Sequence, residues 1–166
     1  MMERKYILDE TGVAMKIRRM AYEILENNPA EQHLVIIGIV HHGIVIAQQL
    51  ASVLQEIAPT VHLNLLTLGM NKERPSEIEI SQDIDFNNQV IILVDDVTNS
   101  GKTLLYALKP LLNYYPRKIQ TLVLVERSHK IYPVHPDYVG ISLATTLQEH
   151  IVVETEGATV KGAYLS

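Results

Sequence analysis

The stretch VIILVDDVTNSGKTL, residues 90–104, decides the fold of this chain. Its five leading aliphatic residues, ending at Val94, are typical of a strand that is buried on both faces. Two adjacent carboxylates, Asp95 and Asp96, follow directly, and then comes a polar loop that contains Gly101. Because neighbouring carboxylates repel each other, we expect this pair to hold a ligand that is cationic or rich in hydroxyl groups.

The composition predicts a globular protein. The chain has 166 residues, of which 47% are hydrophobic and 20% are charged, and it contains no cysteine. The N-terminal sequence MMERKYILD lacks the apolar region of a signal peptide, and no apolar run approaches the ~20 residues that cross a bilayer. We therefore expect one domain over residues 1–166 and a cytoplasmic location. The net charge of −5 disfavours a dedicated nucleic-acid binder.

Apolar runs of strand length alternate with amphipathic segments of helical period. Strands are predicted at residues 34–40, 61–68, 90–94, 121–125, 138–143 and 151–153. Helices are predicted from Asp9 or Thr11 to Asn27, over residues 44–57, and from Ser100 or Thr103 to Tyr115, and residues 69–88 are predicted to be irregular. This alternation predicts an α/β fold with a parallel sheet that is covered on both faces.

Two strand-to-helix junctions are predicted to share one site. His41, His42 and Gly43 follow the strand at residues 34–40, and residues 95–103 follow the strand at 90–94. Ligands of parallel sheets bind beyond the carboxyl ends of the strands, where both junctions fall. Each junction carries a glycine, which allows the backbone to come close to a ligand.

The second junction has the donors that bind a phosphate. Backbone amides at the start of a helix favour an anion, hydroxyl groups add donors, and Gly101 removes a side chain that would keep the phosphate away. A nucleoside triphosphate is disfavoured, because the P-loop pattern requires glycine where Asp96 stands. The predicted phosphate-binding residues are Thr98, Asn99, Ser100, Gly101, Lys102 and Thr103.

Asp95 and Asp96 precede this segment by about the length of a sugar. Carboxylates accept hydrogen bonds from vicinal hydroxyls and stabilise positive charge that develops on a ribose ring. The combination predicts a ribose 5-phosphate site. The alternative is that the two aspartates cap the following turn and helix.

The sequence VIILVDDVTNSGKTLLYAL resembles the 5-phosphoribosyl 1-pyrophosphate (PRPP) signature of type I phosphoribosyltransferases. The likeness extends over nearly the whole chain and is closest to the pyrimidine-operon attenuation regulator and uracil phosphoribosyltransferase family. Three further segments resemble parts of that family. ILDE at 7–10 resembles its opening, and VIIGIVHHGIVIAQQLA at 35–51 resembles its strand, pyrophosphate loop and helix. LVERSHKIYPVHPDYVG at 124–140 resembles its late strand and the segment that leads to the base-binding hood.

The resemblance implies a type I phosphoribosyltransferase fold, with a parallel sheet flanked by helices and a small hood. It implies transfer of the phosphoribosyl group from PRPP to a nucleobase, with uracil as the expected acceptor, and release of pyrophosphate. Mg²⁺ would lie near the ribose hydroxyls, and the protein would form a dimer or a higher homo-oligomer. The implied site residues are Asp95 and Asp96 for the ribose, residues 98–103 for the 5-phosphate, His41, His42 and Gly43 for the pyrophosphate, and His150, Ile151 and Val152 for the base.

The chain departs from the family pattern at three places. Asn99 stands where purine-using relatives often have a general-base aspartate, which disfavours a purine acceptor. His42 stands where a basic residue, commonly arginine, precedes the glycine of the pyrophosphate loop. Residues 68–86, LGMNKERPSEIEISQDIDF, lack the Tyr-Arg-Asp element of the family's flexible loop. Lys72 and Arg74 are the basic residues of this segment that are available to replace it.

A regulator that senses PRPP or nucleotide and binds RNA is the main alternative to an enzyme. Arg18, Arg19 and Tyr22 occupy the region of the first helix that contacts RNA in the family. The negative net charge ranks RNA binding below enzyme activity. A third hypothesis is a domain that binds phosphate but no longer catalyses a reaction.

Overall fold

Continuous aliphatic runs form the centre of the main sheet. The structure is a computed structural model and describes residues 4–71, 73–75, 77–146 and 148–166. The strands are β1 Lys5–Leu8, β2 His33–Ile39, β3 His62–Met70, β4 Ile78–Ile80, β5 Val90–Thr98, β6 Lys118–Arg127, β7 Tyr138–Leu143, β8 Ile151–Glu156 and β9 Thr159–Leu165. The helices are α1 Glu10–Asn27, α2 His42–Ile57 and α3 Lys102–Ala107, and a 3-10 helix follows at Lys109–Asn113.

The main sheet has six strands in the order β4-β3-β2-β5-β6-β7. All neighbouring pairs are parallel except β3 and the edge strand β4, which pair in the antiparallel direction. Alternate residues of β5 serve opposite faces: Ile92 and Val94 pack with α1 and α2, whereas Ile91 and Leu93 pack with α3. The predicted parallel sheet with both faces covered is therefore confirmed. Within the described residues, no helix is long and apolar enough to span a membrane.

A second, smaller sheet brings the two ends of the described chain together. Its antiparallel order is β1-β9-β8, with Tyr6 and Val152 both in register with Tyr164. This sheet is the small hood that the family resemblance implied. Only β8 was predicted, at residues 151–153. Strand β1 was missed because it has four residues, is mostly exposed and pairs with the distant β9, whereas β9 was missed although it follows β8 in a hairpin with a two-residue turn.

Several predicted boundaries differ from the structure. Strand β5 continues past Val94 to Thr98, because Asp95 pairs with Val123 and Thr98 with Glu126 of β6. Residues 69–88 are not wholly irregular, since β3 runs to Met70 and β4 pairs with its end. The helix predicted to reach Tyr115 ends earlier, where the 3-10 helix with its proline takes over. Helix α2 begins two residues before the predicted start, within the junction predicted to be a turn. That residues 1–166 form one domain stays a prediction.

Candidate active site

The two predicted junctions lie side by side between β2 and β5, where the order in which strands are added to the sheet reverses. Strands β2 and β5 are neighbours, with Gly38 opposite Val94. Helix α2 leaves β2 on one face, and α3 leaves β5 on the other face. In open α/β sheets a ligand-binding crevice forms at this switch point, beyond the carboxyl ends of the strands. Residues 41–43 and 95–103 therefore lie next to each other at the same edge of the sheet.

Gly43 packs directly against the acidic end of β5. A Cβ atom on Gly43 would lie 2.8 Å from the Val94 carbonyl oxygen and 3.0 Å from Cα of Asp95, so that no larger residue fits without displacing β5. The preceding Val40–His41 peptide bond is cis. His41 is exposed, whereas His42, the first residue of α2, is half-buried. The first turn of α2 thus lies beside the Asp95 carboxylate.

The two carboxylates lie at different depths. Asp95 is 1% exposed, and its Oδ1 accepts a 2.9 Å hydrogen bond from the amide of Asp96. Asp96 is half-buried, and its Oδ1 accepts a 2.8 Å hydrogen bond from the amide of Val97. Both residues belong to β5, so they do not act as the cap of the following helix; the residue at that position is Gly101. The alternative that they cap the following helix is therefore wrong, because no side chain caps it.

Residues 97–103 enclose a small cavity of about 170 Å³. Gly101 has a φ of +89°, which is strained for a residue with a side chain, and a Cβ there would lie 3.0 Å from the Val134 carbonyl oxygen. The Ser100 hydroxyl accepts a 3.3 Å hydrogen bond from the Lys102 amide, and Thr98 is buried. Hydroxyl and amide groups around a cavity of this size suit a phosphate group.

Residues 126–132, which belong to the family-like segment at 124–140 but are not among the predicted phosphate-binding residues, support this cavity from behind. The amides of Ile131 and Tyr132 donate to the Ser100 carbonyl oxygen over 3.0 and 2.9 Å. Lys130 has a side chain that is only 5% exposed, pairs with Glu126 at 3.3 Å, and donates to the Arg127 carbonyl oxygen. The signal in the sequence was the acidic and basic pair four residues apart after a buried strand. We take this support, rather than the six-residue α3 alone, as the reason for the loop's shape.

A larger cavity of about 450 Å³ adjoins the phosphate-sized one, and Asn99 and Ser100 line both. Its other lining residues are Arg127, Ser128, His129, Ile131, Ala144 and Thr145. Neither Arg127 nor His129 is among the site residues predicted from the sequence. The structure brings both side chains to the wall of this cavity.

The predicted base-binding residues His150, Ile151 and Val152 belong to the hood edge. His150 exchanges hydrogen bonds of 3.0 and 2.9 Å with Ser166, and Ile151 is in register with Leu165. Apart from Asn99 and Ser100, the described residues that line the larger cavity come from the segments before the hood strand β8, at 127–131 and 144–145. The hood reaches the crevice elsewhere, because Thr155 Oγ1 lies 3.0 Å from Nδ1 of His42. Base binding at His150 to Val152 stays a prediction.

The sequence also predicted two loop cations and a Mg²⁺ site. Of the two loop cations, Lys72 lies outside the described residues, and Arg74 is exposed, with its amide 3.4 Å from Oδ1 of Asn71. No group of three or more metal-ligating side chains occurs in the part of the chain that the structure describes. Mg²⁺ commonly binds one or two carboxylates together with substrate phosphates and water, and Asp95 and Asp96 are hard oxygen donors that fit this pattern.

Comparison with solved structures identifies the class of fold. The hypoxanthine phosphoribosyltransferase of Trypanosoma cruzi matches with a TM-score of 0.79 at 14% identity, covering 96% of this chain and 94% of that chain. The hypoxanthine-guanine phosphoribosyltransferase of Bacillus anthracis matches with a TM-score of 0.74 at 18% identity, covering 90% and 88%. At these identities the likeness shows the fold alone. The fold is that of the type I phosphoribosyltransferases, as the resemblance implied.

Comparison of sequences identifies the family. The model of the phosphoribosyl transferase domain matches residues 3–156, and the chain belongs to this family. Relatives named bifunctional protein PyrR include that of Macrococcus caseolyticus, 33% identical over 161 residues that cover 92% of both chains. That of Brevibacillus brevis is 35% identical over 163 residues, covering 93% of this chain and 91% of the relative. The predicted resemblance to the pyrimidine attenuation regulators is confirmed.

Proposed function

We propose that this protein transfers the 5-phosphoribosyl group of PRPP to a nucleobase, with uracil as the acceptor, and releases pyrophosphate. The observation that supports this most directly is the contact of Gly43 with Asp95, which joins the two junctions into one crevice. A donor with a phosphate at each end of a ribose requires two anion-binding segments on either side of hydroxyl-binding carboxylates. The crevice has its segments in that order.

Each part of the crevice has a role in this proposal. Asp95 and Asp96 accept hydrogen bonds from the ribose hydroxyls, and residues 98–103 bind the 5-phosphate through amide and hydroxyl donors. His41, His42 and Gly43 bind the pyrophosphate at the start of α2, where unpaired amides favour an anion. Mg²⁺, when bound with the donor near the two aspartates, neutralises pyrophosphate charge.

The reaction breaks the bond between C1′ and the pyrophosphate oxygen and forms a bond between C1′ and a ring nitrogen of the base. The proton of that nitrogen passes to water, and pyrophosphate leaves with the bonding electrons of the broken bond. Positive charge develops on the ribose ring, and the two carboxylates stabilise it. Alignment of the base with C1′ supplies much of the remaining acceleration. Asn99 cannot accept a proton, so the proposal favours an acceptor whose ring nitrogen is acidic, such as the imide-containing pyrimidine uracil.

The first experiment measures pyrophosphate release with Mg²⁺ and PRPP across uracil, orotate, hypoxanthine, guanine, xanthine and adenine. Calorimetric titration of PRPP on the same sample gives donor affinity. Release with uracil supports the proposal, and release with a purine alone contradicts the choice of acceptor. Donor binding without turnover contradicts the enzyme and favours a sensor.

The second candidate is a pyrimidine regulator that binds RNA, and the relatives' description as bifunctional favours it. The α1 surface gives it little support. Arg18 pairs with Glu56 at 3.4 Å, and this carboxylate raises the pKa of Arg18. Arg19 pairs with Glu23 and also donates to the Gly140 carbonyl oxygen at 2.8 Å. RNA retention that falls steeply with salt would support the regulator.

We further propose a cytoplasmic location and a homo-oligomer. Subcellular fractionation tests the location, and light scattering of the purified protein tests the oligomeric state.

A further inference from the structure

His33 and His62 lie side by side at the amino end of the main sheet. They are the first residues of β2 and β3 and are paired in register. Their ring centroids are 5.4 Å apart, and the ring planes are inclined by 68°. Because a strand rises about 3.3 Å per residue, the length of β2 separates this pair from the crevice at the carboxyl end by roughly 20 Å. The histidine pair is therefore remote from the proposed active site.

The alternation of side chains places both imidazoles on one face of the sheet. Val35, two residues after His33, and Leu66, four residues after His62, belong to the same core cluster, on the face that α3 covers. Both histidines are exposed. Among the residues that the structure describes, neither imidazole makes a hydrogen bond or an ion pair, and the two rings pack edge to face against each other. Their ring nitrogens are available to a ligand from solution.

A cavity of about 440 Å³ is bordered by both histidines. Its charged lining residues are Glu31, Asp85 and Arg117, and the guanidinium of Arg117 pairs with Glu31. Two carboxylates thus face one guanidinium, and the lining carries an excess of negative charge when the imidazoles are neutral. Such a potential favours a cation over an anion beside the rings.

The chemistry of the paired rings indicates which cations fit. Neutral imidazole is a good ligand for Zn²⁺, Cu²⁺ and Ni²⁺, whereas Mg²⁺ and Ca²⁺ prefer oxygen ligands. A bond from Zn²⁺ to a histidine nitrogen is about 2.0–2.1 Å long, so two adjacent exposed rings can turn a nitrogen each toward one shared ion. No third metal-ligating side chain joins the pair in the described part of the chain. Water therefore completes the coordination, and nearby carboxylates accept hydrogen bonds from that water.

We propose that His33 and His62 form a two-histidine site for a divalent transition-metal ion of the class that imidazole prefers, with Zn²⁺ as its redox-inert member. The ion joins the first residues of β2 and β3, and Glu31 and Asp85 favour it by their charge. Since this ion binds the folded pair and the unfolded chain holds the two rings apart, it stabilises the sheet. The inference does not rest on the proposed function, because its site lies at the opposite end of β2 from the proposed Mg²⁺ and PRPP.

Calorimetric titration of Zn²⁺ into chelator-treated protein, without Mg²⁺ or PRPP, tests the proposal. The wild type is expected to bind one ion per chain. His33→Asn and His62→Asn are each expected to weaken binding at least about tenfold, because one imidazole alone cannot chelate. The double variant is expected to lie within about threefold of either single variant, since the first substitution already removes the chelate. In NMR spectra, Zn²⁺ should shift the imidazole signals that are missing from these two variants.

Two control variants complete the design. His135→Asn replaces an exposed histidine between β6 and β7 and is expected to bind Zn²⁺ like the wild type. His42→Asn tests the adjacent histidines of the other junction and is also expected to keep the wild-type affinity. Urea unfolding gives a second readout: Zn²⁺ should raise the midpoint of the wild type and of His135→Asn, but not that of the double variant. Equal midpoints without metal show that the variants are folded.

The outcomes decide the inference in either direction. A selective loss of affinity in His33→Asn and in His62→Asn, together with the lost rise in the urea midpoint, supports the site. A wild type that binds no Zn²⁺ overturns it. A double variant whose affinity stays within about twofold of the wild type also overturns it, and means an adventitious ion only. Loss of binding in His42→Asn with retention in His33→Asn places the ion at the other junction and contradicts the inference.

Discussion

His42 and Thr155 are joined by a 3.0 Å contact between Nδ1 and Oγ1, which links the junction after β2 to the hood. These residues are 113 positions apart in sequence. The contact orients the imidazole of the residue that stands in place of the family's usual basic residue. Since a ring nitrogen held by one partner leaves its other nitrogen aimed in a defined direction, the hood contributes to the geometry of the proposed pyrophosphate site.

Thr155→Val is expected to weaken pyrophosphate binding by about 2- to 10-fold, the worth of one hydrogen bond. The physical reason is that the imidazole of His42 loses its fixed orientation. Isothermal titration with pyrophosphate measures the effect, and ribose 5-phosphate affinity is expected to stay constant. Thr159→Val, in the neighbouring strand β9, is the matched control. Equal losses in both variants would mean that the hood, rather than the His42 contact, is responsible.

Gly43→Ala is expected to cost about 1–3 kcal/mol of unfolding free energy and to abolish measurable PRPP binding. The added methyl would lie 2.8 Å from the Val94 carbonyl oxygen, so β5 and the first turn of α2 must separate. Chemical denaturation and calorimetry check the two effects. Gly69→Ala is the control, because the nearest atom to its methyl would be 3.8 Å away. Wild-type PRPP affinity in Gly43→Ala would contradict the proposed crevice.

Gly101→Ala tests the phosphate site against a purely conformational effect. Its φ of +89° and the 3.0 Å approach to the Val134 carbonyl oxygen both oppose a side chain, and we expect about 1–3 kcal/mol of destabilisation. Ribose 5-phosphate affinity should fall at least tenfold, about 1.4 kcal/mol. Gly157→Ala has a φ of +58° with no atom within 4 Å, so it is expected to show strain without loss of affinity. Similar affinities in both variants would remove the phosphate role.

Lys130→Met is expected to destabilise the protein by about 2–4 kcal/mol, because it removes the cation that pairs with the largely buried Glu126 carboxylate and leaves it only the Ser142 hydroxyl. The phosphate site should weaken as well, since residues 131 and 132 hold the Ser100 carbonyl oxygen. Thermal and chemical unfolding measure the first effect. The double variant with Glu126→Gln should recover much of the stability, and a double variant as unstable as the single one would show that the ion pair is not the cause.

Ionisation of Tyr138 should lower stability at alkaline pH. Burial raises the pKa of this phenol above its usual value near 10, and the Asp137 carboxylate adds to the rise. The unfolded chain therefore loses this proton first, so the stabilisation is complete below pH ~10 and is lost as the pH rises through the folded pKa. Urea unfolding at pH 9 to 11 should show a shallower decline in Tyr138→Phe than in the wild type. Tyr115→Phe, at a residue 87% exposed, should follow the wild type.

Local patterns in the sequence determined the α/β alternation, the buried strand before Asp95 and the polar segment at 98–103, because side-chain periodicity and backbone donors are properties of neighbouring residues. They also determined the family resemblance, which the comparisons confirm. Only the tertiary structure decided that Gly43 packs on Asp95, that Thr155 meets His42, and that Arg127 holds a loop beyond β7. Each of these contacts joins residues brought together by strand pairing and helix packing, and no local pattern records which distant segments will meet.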